Sequence, residues 1–368
     1  MPDGGGHSLI HKGLAPQRGR AALSNHTPRF ERQVVEAFDD GWGSLTEDMP
    51  SLRTSLTREA AKSALTYNDS PDLGFDRSIN PYRGCEHGCV YCYARPSHAY
   101  LGLSPGLDFE TRLLFKPDLP EILERELSRP GYVPRPVALG ANTDPYQPVE
   151  REQGLTRRVL EVLERFGHPV TIVTKSAGVL RDADILARMA KRNLARVCIS
   201  ITTLDAKLAR AMEPRAASPL RRLEAVRALA AQGIPVAVLA APMIPGINDA
   251  ELERILEASA RAGATSAGYV LLRLPLELRQ IFEEWLNAHY PERAARVLAL
   301  VRQTRGGKLY DARFGQRQTG EGAYAELLAR RFDVALRRLG LDRREGGTGR
   351  LDCTQFNPHA ASRQLALL

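Results

Sequence analysis

Short apolar runs alternate with longer segments in which apolar residues recur every three or four positions through the middle of the chain. Six short runs are rich in β-branched or small apolar residues, as buried parallel strands are. They are residues 77–80, 136–141, 170–174, 196–201, 234–241 and 266–272. The segment from Leu155 to Leu163 illustrates the helical spacing between them. The pattern predicts an α/β fold with a parallel sheet wrapped by helices.

Polar residues follow or close most of these predicted strands. Parallel α/β folds bind ligands at the C-terminal ends of their strands, so polar groups at these positions predict a functional site there. The segments concerned are Cys85, Asn142-Thr143-Asp144, Lys175, Ser200 with Thr202, and residues 242–248. Periodicity alone does not separate an incomplete barrel from an open doubly wound sheet.

The two ends of the chain differ from the middle. Residues 1–68 mix Gly, Pro and charged residues and predict an N-terminal extension that is partly disordered. Residues 69–290 hold the alternating pattern and predict the barrel domain. Residues 291–368 predict a C-terminal helical extension, with a helix over 324–339, followed by a tail.

Charge and composition narrow the class of protein. The formal net charge is +8, which allows an anionic partner without requiring one. Arginine pairs at 330–331, 337–338 and 343–344 predict either a solvated helix face or a surface for nucleic acid. No apolar stretch approaches the ~20 residues of a membrane span. Only five cysteines occur in 368 residues, which favours a reducing, cytoplasmic location over a disulfide-stabilised secreted fold.

The most specific feature is a cysteine triplet in the loop after the first predicted strand. Cys85, Cys89 and Cys92 form a C-x3-C-x2-C pattern, with Tyr91 before the last cysteine. Cubane iron–sulfur clusters are normally held by four cysteine thiolates. Three thiolates therefore leave one iron open to a non-protein ligand, as catalytic metal sites do. A zinc site completed by a nearby histidine is the alternative, although no second, distant ligand pair is visible in the sequence.

The triplet resembles the signature of the radical S-adenosylmethionine (SAM) superfamily, and further segments resemble its spore-photoproduct-lyase-like branch. Several short motifs in a fixed order are more specific than any one of them. These segments are Asn80-Pro81-Tyr82-Arg83-Gly84, Thr143-Asp144-Pro145-Tyr146-Gln147-Pro148-Val149-Glu150, Thr174-Lys175-Ser176, Ser200-Ile201-Thr202-Thr203, Met212-Glu213-Pro214-Arg215 and Pro242-Met243-Ile244-Pro245-Gly246-Ile247-Asn248-Asp249. They cover about the central half of the chain.

This resemblance implies an incomplete (β/α)6 barrel of the TIM type, with a 4Fe-4S cluster and SAM as cofactors. It implies that one electron splits the sulfonium of SAM to methionine and a 5′-deoxyadenosyl radical, which abstracts hydrogen from the substrate. A protein reductant such as flavodoxin or ferredoxin would supply the electron. Nucleic acid remains an allowed partner, and the sequence assigns neither a substrate nor an oligomeric state.

The resemblance also suggests which residues contact SAM. Tyr91 matches the aromatic residue that lies against the adenine. Asn142, Thr143 and Asp144 match the strand end that contacts the methionyl amine, and Lys175 matches a partner of the SAM carboxylate. The alternative for the lysine is an ordinary surface position.

Two later strands complete this expected SAM site. Ser200 and Thr202 lie on the same side of the fourth strand by alternation and are expected to bind the ribose or the carboxylate, or to serve only in packing. Gly246 and Ile247 belong to the turn after the fifth strand, which resembles the segment that lies against the adenine. Glycine at position 246 would allow the backbone to approach the adenine closely.

One position departs from the lyases. They carry a cysteine near the end of the second strand as hydrogen donor, and Ala141 occupies that position here. Cys198 lies deeper in the fourth strand, and Cys353 lies in the tail. The leading hypothesis is a radical SAM enzyme with no assigned catalytic residue. A DNA photolesion repair lyase and a non-enzymatic Fe-S or zinc binding protein are the alternatives.

Overall fold

The computed structural model describes residues 19–31, 53–341 and 351–360. The strands in these ranges are β1 (Ser55–Arg58), β2 (Thr66–Tyr67), β3 (Arg77–Ile79), β4 (Tyr82–Arg83), β5 (Arg112–Phe115), β6 (Val137–Leu139), β7 (Val170–Thr174), β8 (Ala195–Ser200), β9 (Val236–Met243) and β10 (Ser266–Leu271). The α-helices are α1 (Leu107–Thr111), α2 (Leu119–Leu127), α3 (Glu150–Gln153), α4 (Leu155–Arg165), α5 (Ala183–Lys191), α6 (Ala206–Met212), α7 (Pro219–Ala231), α8 (Leu252–Arg261), α9 (Leu278–His289), α10 (Pro291–Gln303) and α11 (Gly322–Leu339).

The main sheet has the strand order β10-β9-β8-β7-β6-β3-β2. The neighbours from β3 to β10 are parallel, and β2 pairs antiparallel with β3 at one edge. The parallel strands β3, β6, β7, β8, β9 and β10 therefore lie side by side in the same order as they follow one another along the chain, and helices connect them. A doubly wound sheet would reverse its order at a switch point, and this sheet does not. The predicted α/β fold is confirmed, with the strand progression of a partial barrel.

All six predicted parallel strands are present, and their burial explains why the apolar runs form them. Along β7, Val170 and Ile172 are fully buried in the core beneath the helices, whereas Thr171 and Val173 alternate to the other face. Alternation of this kind follows from the two-residue period of a strand. Each such Val or Ile contributes about 1.5–3 kcal/mol by leaving water.

A small second sheet, in the order β1-β5-β4, holds the loop that carries the cysteines. Strand β4 pairs antiparallel with β5, with Tyr82 opposite Phe115. The loop leaves from β4 and returns through α1 into β5, so both of its ends are anchored in one sheet. The sequence analysis did not predict this sheet, because its strands are only two to four residues long.

Helices α9 and α10 pack against the rim of the barrel. Trp285 is fully buried and donates a hydrogen bond from Nε1 to the carbonyl of Ala211, at 3.0 Å. It shares a core with Val90 and Tyr91 of the cysteine loop and with Ala21 of the N-terminal segment. The two extensions therefore stabilise the loop that carries the cysteines. The predicted domain boundaries at 68/69 and 290/291 stay predictions.

Residues 351–360, predicted as part of a tail, dock on the opposite end of the barrel. The ring of Phe356 packs 5.4 Å from Tyr132 and 6.2 Å from Phe166, centroid to centroid. The amide of Asp352 donates to the carbonyl of Asn193, at 2.9 Å. The segment was not recognised because its contacts come from residues more than 150 positions away.

Two remaining expectations concern the ends of the chain and the membrane. The predicted disorder of the first residues lies outside the described ranges. Among the described residues, no helix combines the length and the apolar character needed to span a bilayer.

Candidate functional site

A cavity of about 480 Å³ opens at the C-terminal ends of the parallel strands, where the sequence predicted a site. One wall, here called the cysteine side, contains Cys85, Cys89, Cys92, Asp144, Lys175 and Ser200. A second group of lining residues, here called the extension side because Arg317 and Gln318 belong to the C-terminal extension, contains Asn68, Ser70, Phe75, Arg273, Arg317 and Gln318. The fold therefore brings residues from six strand ends and both extensions to one cavity.

The three cysteines of the motif all line this cavity as free thiols. Cys85 and Cys89 are buried and Cys92 is partly buried. Burial raises the pKa of the Cys85 thiol well above its ordinary value, and the nearby carboxylate of Asp144 adds to the shift. Burial also raises the pKa of Cys89, against the opposing charge of Lys175. Without a positive centre these thiols are disfavoured as thiolates, and metal binding supplies that centre.

A buried ion pair supports the cysteine loop from below. Arg95 and Glu110 are both 0% exposed and form a salt bridge. Arg95 also donates to the carbonyls of Cys89 at 2.8 Å and Gly88 at 2.9 Å, while Glu110 accepts from the amide of Ala22 at 2.9 Å. One guanidinium thus fixes the backbone beside the second cysteine. Neither charge was assigned from the sequence, because nothing in the spacing of Arg95 and Glu110 indicates that they meet.

Two glycines in the same loop are required by its geometry. Gly84 has φ +78°, and a Cβ there would lie 2.6 Å from a methyl carbon of Leu113. Gly88 has φ +64°, and its Cβ would lie 2.6 Å from Oε2 of Glu110. Glycine adopts such backbone angles without steric cost, and no side chain fits either space.

Asp144, expected near the methionyl amine, is bonded to protein through both carboxylate oxygens. Oδ1 accepts from the hydroxyl of Thr174 at 2.7 Å, and Oδ2 accepts from the amide of Lys175 at 2.7 Å. His87 lies 3.3 Å from Oδ2. Burial by itself would raise the pKa of Asp144, but His87 and these hydrogen bonds outweigh it and lower the pKa to about 2. Asp144 thus connects the ends of β6 and β7 to the cysteine loop. Its contact with the methionyl amine of SAM stays a prediction.

The neighbouring polar residues of this strand end divide between the cavity and the scaffold. Asn142 is exposed on the cavity wall, and its backbone amide donates to Oδ1 of Asn80 at 2.9 Å. Thr143 lines the cavity but is buried, and its hydroxyl donates to the carbonyl of Tyr82 at 2.9 Å. The Asn142 side chain is therefore the more accessible of the two.

Lys175 lies on the cysteine side with its ammonium over an aromatic ring. Its Nζ is 5.7 Å from the ring centroid of Tyr91, within the range of a cation–π contact. It forms no salt bridge with any described carboxylate. The cavity thus presents a positive charge beside the aromatic residue of the cysteine motif.

Thr202, expected to contact the ribose or carboxylate, lies behind Tyr91 and not on the cavity wall. Its side chain is fully buried, and its hydroxyl donates to Oε1 of Glu213 at 2.6 Å and contacts the Tyr91 hydroxyl at 3.1 Å. Glu213 in turn pairs with buried Arg222. Arg222 donates to the carbonyl of Ser200, at 3.0 Å. Thr202 therefore positions Tyr91, whereas Ser200 does line the cavity.

Gly246 and Ile247 likewise lie outside the residues that line the cavity. A Cβ on Gly246 would face Val297 of α10 at 3.5 Å, so the turn backs onto the C-terminal extension. Asn248 fixes the turn, because its Nδ2 donates to the carbonyls of Thr202 at 2.7 Å and of Pro242 at 2.9 Å. The contact of Gly246 and Ile247 with adenine stays a prediction. Pro242, from the same segment, does line the cavity.

The extension side is closed by an ion pair and by hydrogen bonds between the C-terminal extension and β10. The Nε of Arg317 donates to Oδ2 of Asp72 at 2.6 Å, joining the C-terminal extension to the loop before β3. The amide of Leu271 donates to the carbonyl of Gln318 at 2.8 Å, joining the same segment to β10. The extension thus bridges the two edges of the open sheet. None of these residues belongs to a sequence motif, and their pairing could not be read from spacing.

The arginine-rich helix α11 uses two of its four described arginines against its own protein. Arg331 pairs with Glu253 at 2.7 Å, and Arg338 pairs with Glu257, which docks α11 on α8. Arg330 is 79% exposed, and Arg337 is also exposed. The other arginines of this predicted surface lie outside the described ranges. The helix therefore offers few outward charges for a phosphate backbone.

Comparison with known sequences gives a family and uncharacterised relatives. The profile of the radical SAM superfamily matches residues 79–258. An uncharacterised protein of Mycobacterium tuberculosis is 37% identical over 233 residues, which cover 63% of this chain and 68% of the relative. An uncharacterised protein of Methanocaldococcus jannaschii is 26% identical over 214 residues, covering 58% of this chain and 76% of that protein.

Comparison with solved structures gives the fold. Spore photoproduct lyase complexed with dinucleoside spore photoproduct is similar with a TM-score of 0.55 and 18% identity, over 77% of this chain and 79% of that chain. A mutant of the same lyase with bound AdoMet and dinucleoside spore photoproduct has a TM-score of 0.54 at 18% identity, over the same shares. At this level of identity, the likeness extends to the architecture.

Proposed function

The chain belongs to the radical SAM superfamily, and from that premise we propose that Cys85, Cys89 and Cys92 hold a 4Fe-4S cluster whose fourth iron binds SAM. The observation that carries the proposal is the convergence of the three thiols with Lys175 and Ser200 on one cavity at the C-terminal strand ends. Parallel α/β enzymes place their chemistry at these ends.

The side chains around the cavity fit such a cluster. Three free cysteines face one space, and thiolate sulfur is the ligand that these clusters take. In the described part of the chain, no three His, Cys, Asp or Glu side chains converge closely enough to hold a single metal ion. A cubane sets a different requirement, because each of the three thiolates would bind a different iron of the cluster.

The cluster, when reduced, supplies the electron that cleaves SAM to methionine and a 5′-deoxyadenosyl radical able to abstract hydrogen from a substrate. The chain's own residues bind, orient and enclose the reactants. Lys175 offers a positive charge for the SAM carboxylate, and Ser200 and Asn142 offer polar groups on the same wall. Tyr91, held by Thr202, offers a ring face for the adenine.

The proposed reaction needs a one-electron reductant, and a flavodoxin or ferredoxin is suited to that role. It also needs a substrate, which the sequence leaves unassigned. Nucleic acid as that substrate gains little from helix α11, because Arg331 and Arg338 are occupied by Glu253 and Glu257. Ion pairs of this kind compete directly with phosphate contacts.

Repair of a DNA photolesion by the lyase chemistry is less well supported. Ala141, at the position of the lyases' hydrogen-donor cysteine, lines the cavity, and its carbonyl accepts a hydrogen bond from the Tyr93 hydroxyl. Among the described residues that line the cavity, the motif cysteines are the only thiols. A thiol donor for that cycle would have to come from elsewhere.

Anaerobic reconstitution followed by reduction tests the proposal. The protein should take up four irons and four sulfides per chain, which is the composition of one cubane. With dithionite and SAM, it should release 5′-deoxyadenosine slowly, even without substrate. A protein that holds its cluster and yields no 5′-deoxyadenosine would instead be a non-enzymatic iron–sulfur protein.

A further inference from the structure

One cavity residue, Arg273, has no counter-charge in the part of the chain that the structure describes. It follows β10 by two positions and lines the extension side. Its Nε is buried and has no hydrogen-bond partner among the described residues, and no described carboxylate forms a salt bridge with it. Its guanidinium carbon lies 5.4 Å from the ring centroid of Tyr93. A cavity-lining guanidinium with no counter-charge among the described residues offers its N–H donors to an anionic group, so Arg273 marks a place for one.

The other charged groups of the cavity already have assignments. Arg317 is neutralised by Asp72, and Asp144 contacts His87. Lys175 lines the cysteine side and serves the SAM carboxylate in the function proposed above. After these assignments Arg273 is the remaining positive charge on the described wall.

A second buried arginine strengthens the positive potential behind Arg273. Arg305 is 1% exposed and donates to the carbonyl of Leu272 at 2.8 Å and of Gln316 at 2.7 Å. Burial first, and then repulsion from Arg273, lower the pKa of Arg305 to about 10. The end of β10 therefore carries two adjacent guanidinium groups.

The two cations contact the rings of the two residues that flank the third cysteine in the sequence. Cys92 lies between Tyr91, whose ring carries Lys175, and Tyr93, whose ring carries Arg273. Arg273 and Lys175 therefore contact different aromatic rings of the cysteine loop. This arrangement suits two ligands side by side.

We propose that the substrate carries an oxyanion group, a carboxylate or a phosphate, that binds Arg273 on the extension side of the cavity. This inference rests on the proposed function, because it reserves Lys175 for SAM. The planar guanidinium binds both groups through paired N–H donors. Ser70 and Asn68 add polar groups to the lining of the same cavity, and Phe75 and Leu73 add apolar ones. The substrate is therefore an acid or a phosphate ester with an apolar portion.

Matched aromatic probes test the proposal on cluster-loaded protein saturated with SAM and left unreduced. Benzoate and phenyl phosphate are compared with neutral benzamide by titration calorimetry, in wild type, Arg273→Gln, Arg273→Lys and the control Arg330→Gln. Arg330 is 79% exposed on α11, away from the cavity. Wild type should bind at least one anion about tenfold more tightly than benzamide. Arg273→Gln should remove that preference, Arg273→Lys should retain part of it, and Arg330→Gln should retain it all.

The anion that binds more tightly identifies the group. Tighter binding of benzoate indicates a carboxylate, and tighter binding of phenyl phosphate indicates a phosphate. Equal binding of benzamide and both anions, or an anion preference that survives Arg273→Gln, would overturn the proposal. SAM binding is titrated separately in the same samples. A failure of the proposed SAM site can therefore be distinguished from a failure of the proposed oxyanion site at Arg273. If SAM does not bind, the probes are repeated in Lys175→Gln protein, where Arg273 alone can supply the preference.

Discussion

The cysteine side and the extension side of the cavity are built in different ways. On the cysteine side, the polar groups are bonded to protein in several directions: Asp144 has four partners, and Arg95 and Glu110 lock the loop from below. On the extension side, the Arg317–Asp72 pair and hydrogen bonds between the C-terminal extension and the end of β10 close the wall, and Arg273 has no counter-charge among the described residues. A rigid wall suits cofactors that must be held in one geometry. A wall with an unpaired charge suits a substrate that enters and leaves.

The largest effect is expected from removing the thiols of the cysteine side. Cys85→Ala, Cys89→Ala or Cys92→Ala should each abolish retention of iron and sulfide, because a cubane left with two protein thiolates is poorly held. Iron and sulfide per chain after anaerobic reconstitution are the measurement. Cys198→Ala and Cys353→Ala are matched controls that should keep the cluster. Stoichiometric zinc in anaerobic preparations, with no uptake of iron, would contradict the assignment.

The next test removes the support beneath the loop. Glu110→Gln leaves Arg95 fully buried without its counter-charge, which should lower the free energy of unfolding by about 3–5 kcal/mol. Urea denaturation of the metal-free protein measures the change. Glu326→Gln is the control, since its pair with Arg330 is exposed and should contribute no more than about 0.5 kcal/mol. Similar losses in both variants would show that the pair does not stabilise the cysteine side.

A smaller change separates cofactor binding from cluster binding. Lys175→Ala should weaken SAM binding by about 1.5–3 kcal/mol, the range for a hydrogen bond to a charged group, while the iron content stays the same. Titration of the cluster-loaded protein with SAM measures the effect. Lys191→Ala, at an exposed position at the end of α5, is the matched control. Unchanged affinity in Lys175→Ala would leave this residue an ordinary cavity-surface lysine.

The smallest expected effect concerns the closure of the extension side. Arg317 holds the pKa of Asp72 below its ordinary value through their hydrogen bond, so the folded state binds this proton more weakly than the unfolded chain. The pair therefore stabilises the fold above about pH 4, and its contribution is lost as the pH falls through the folded pKa. Asp72→Asn should cost no more than about 1 kcal/mol at pH 7.

The difference between wild type and Asp72→Asn should shrink below about pH 4, as followed by denaturation at several pH values. SAM binding should be unaffected, because Asp72 contacts only the extension side. A loss of SAM affinity as large as that of Lys175→Ala would mean that the two walls are not independent.

The success of sequence-based prediction also differs between the two walls. The cysteine loop, Lys175 and Ser200 were all expected at strand ends, and all line the cavity. Thr202 was assigned to the same wall by strand alternation, but the chain leaves β8 at Ser200, so that the alternation no longer applies. Arg273 and Arg317 were not singled out, because an isolated arginine has no local pattern that separates a cavity position from a surface one.

The sequence by itself determined the parallel α/β fold and the cysteine site, because both depend on local patterns: apolar runs of strand length, helical spacing, and three thiols within eight residues. Tertiary structure alone decided which wall faces the cysteines, and which charges are neutralised. Asp72 meets Arg317 across 245 positions, and Glu110 meets the Ala22 amide across 88. Such contacts form only when the sheet has curved and both extensions have packed on it, and until then no spacing distinguishes Arg273 from the paired arginines around it.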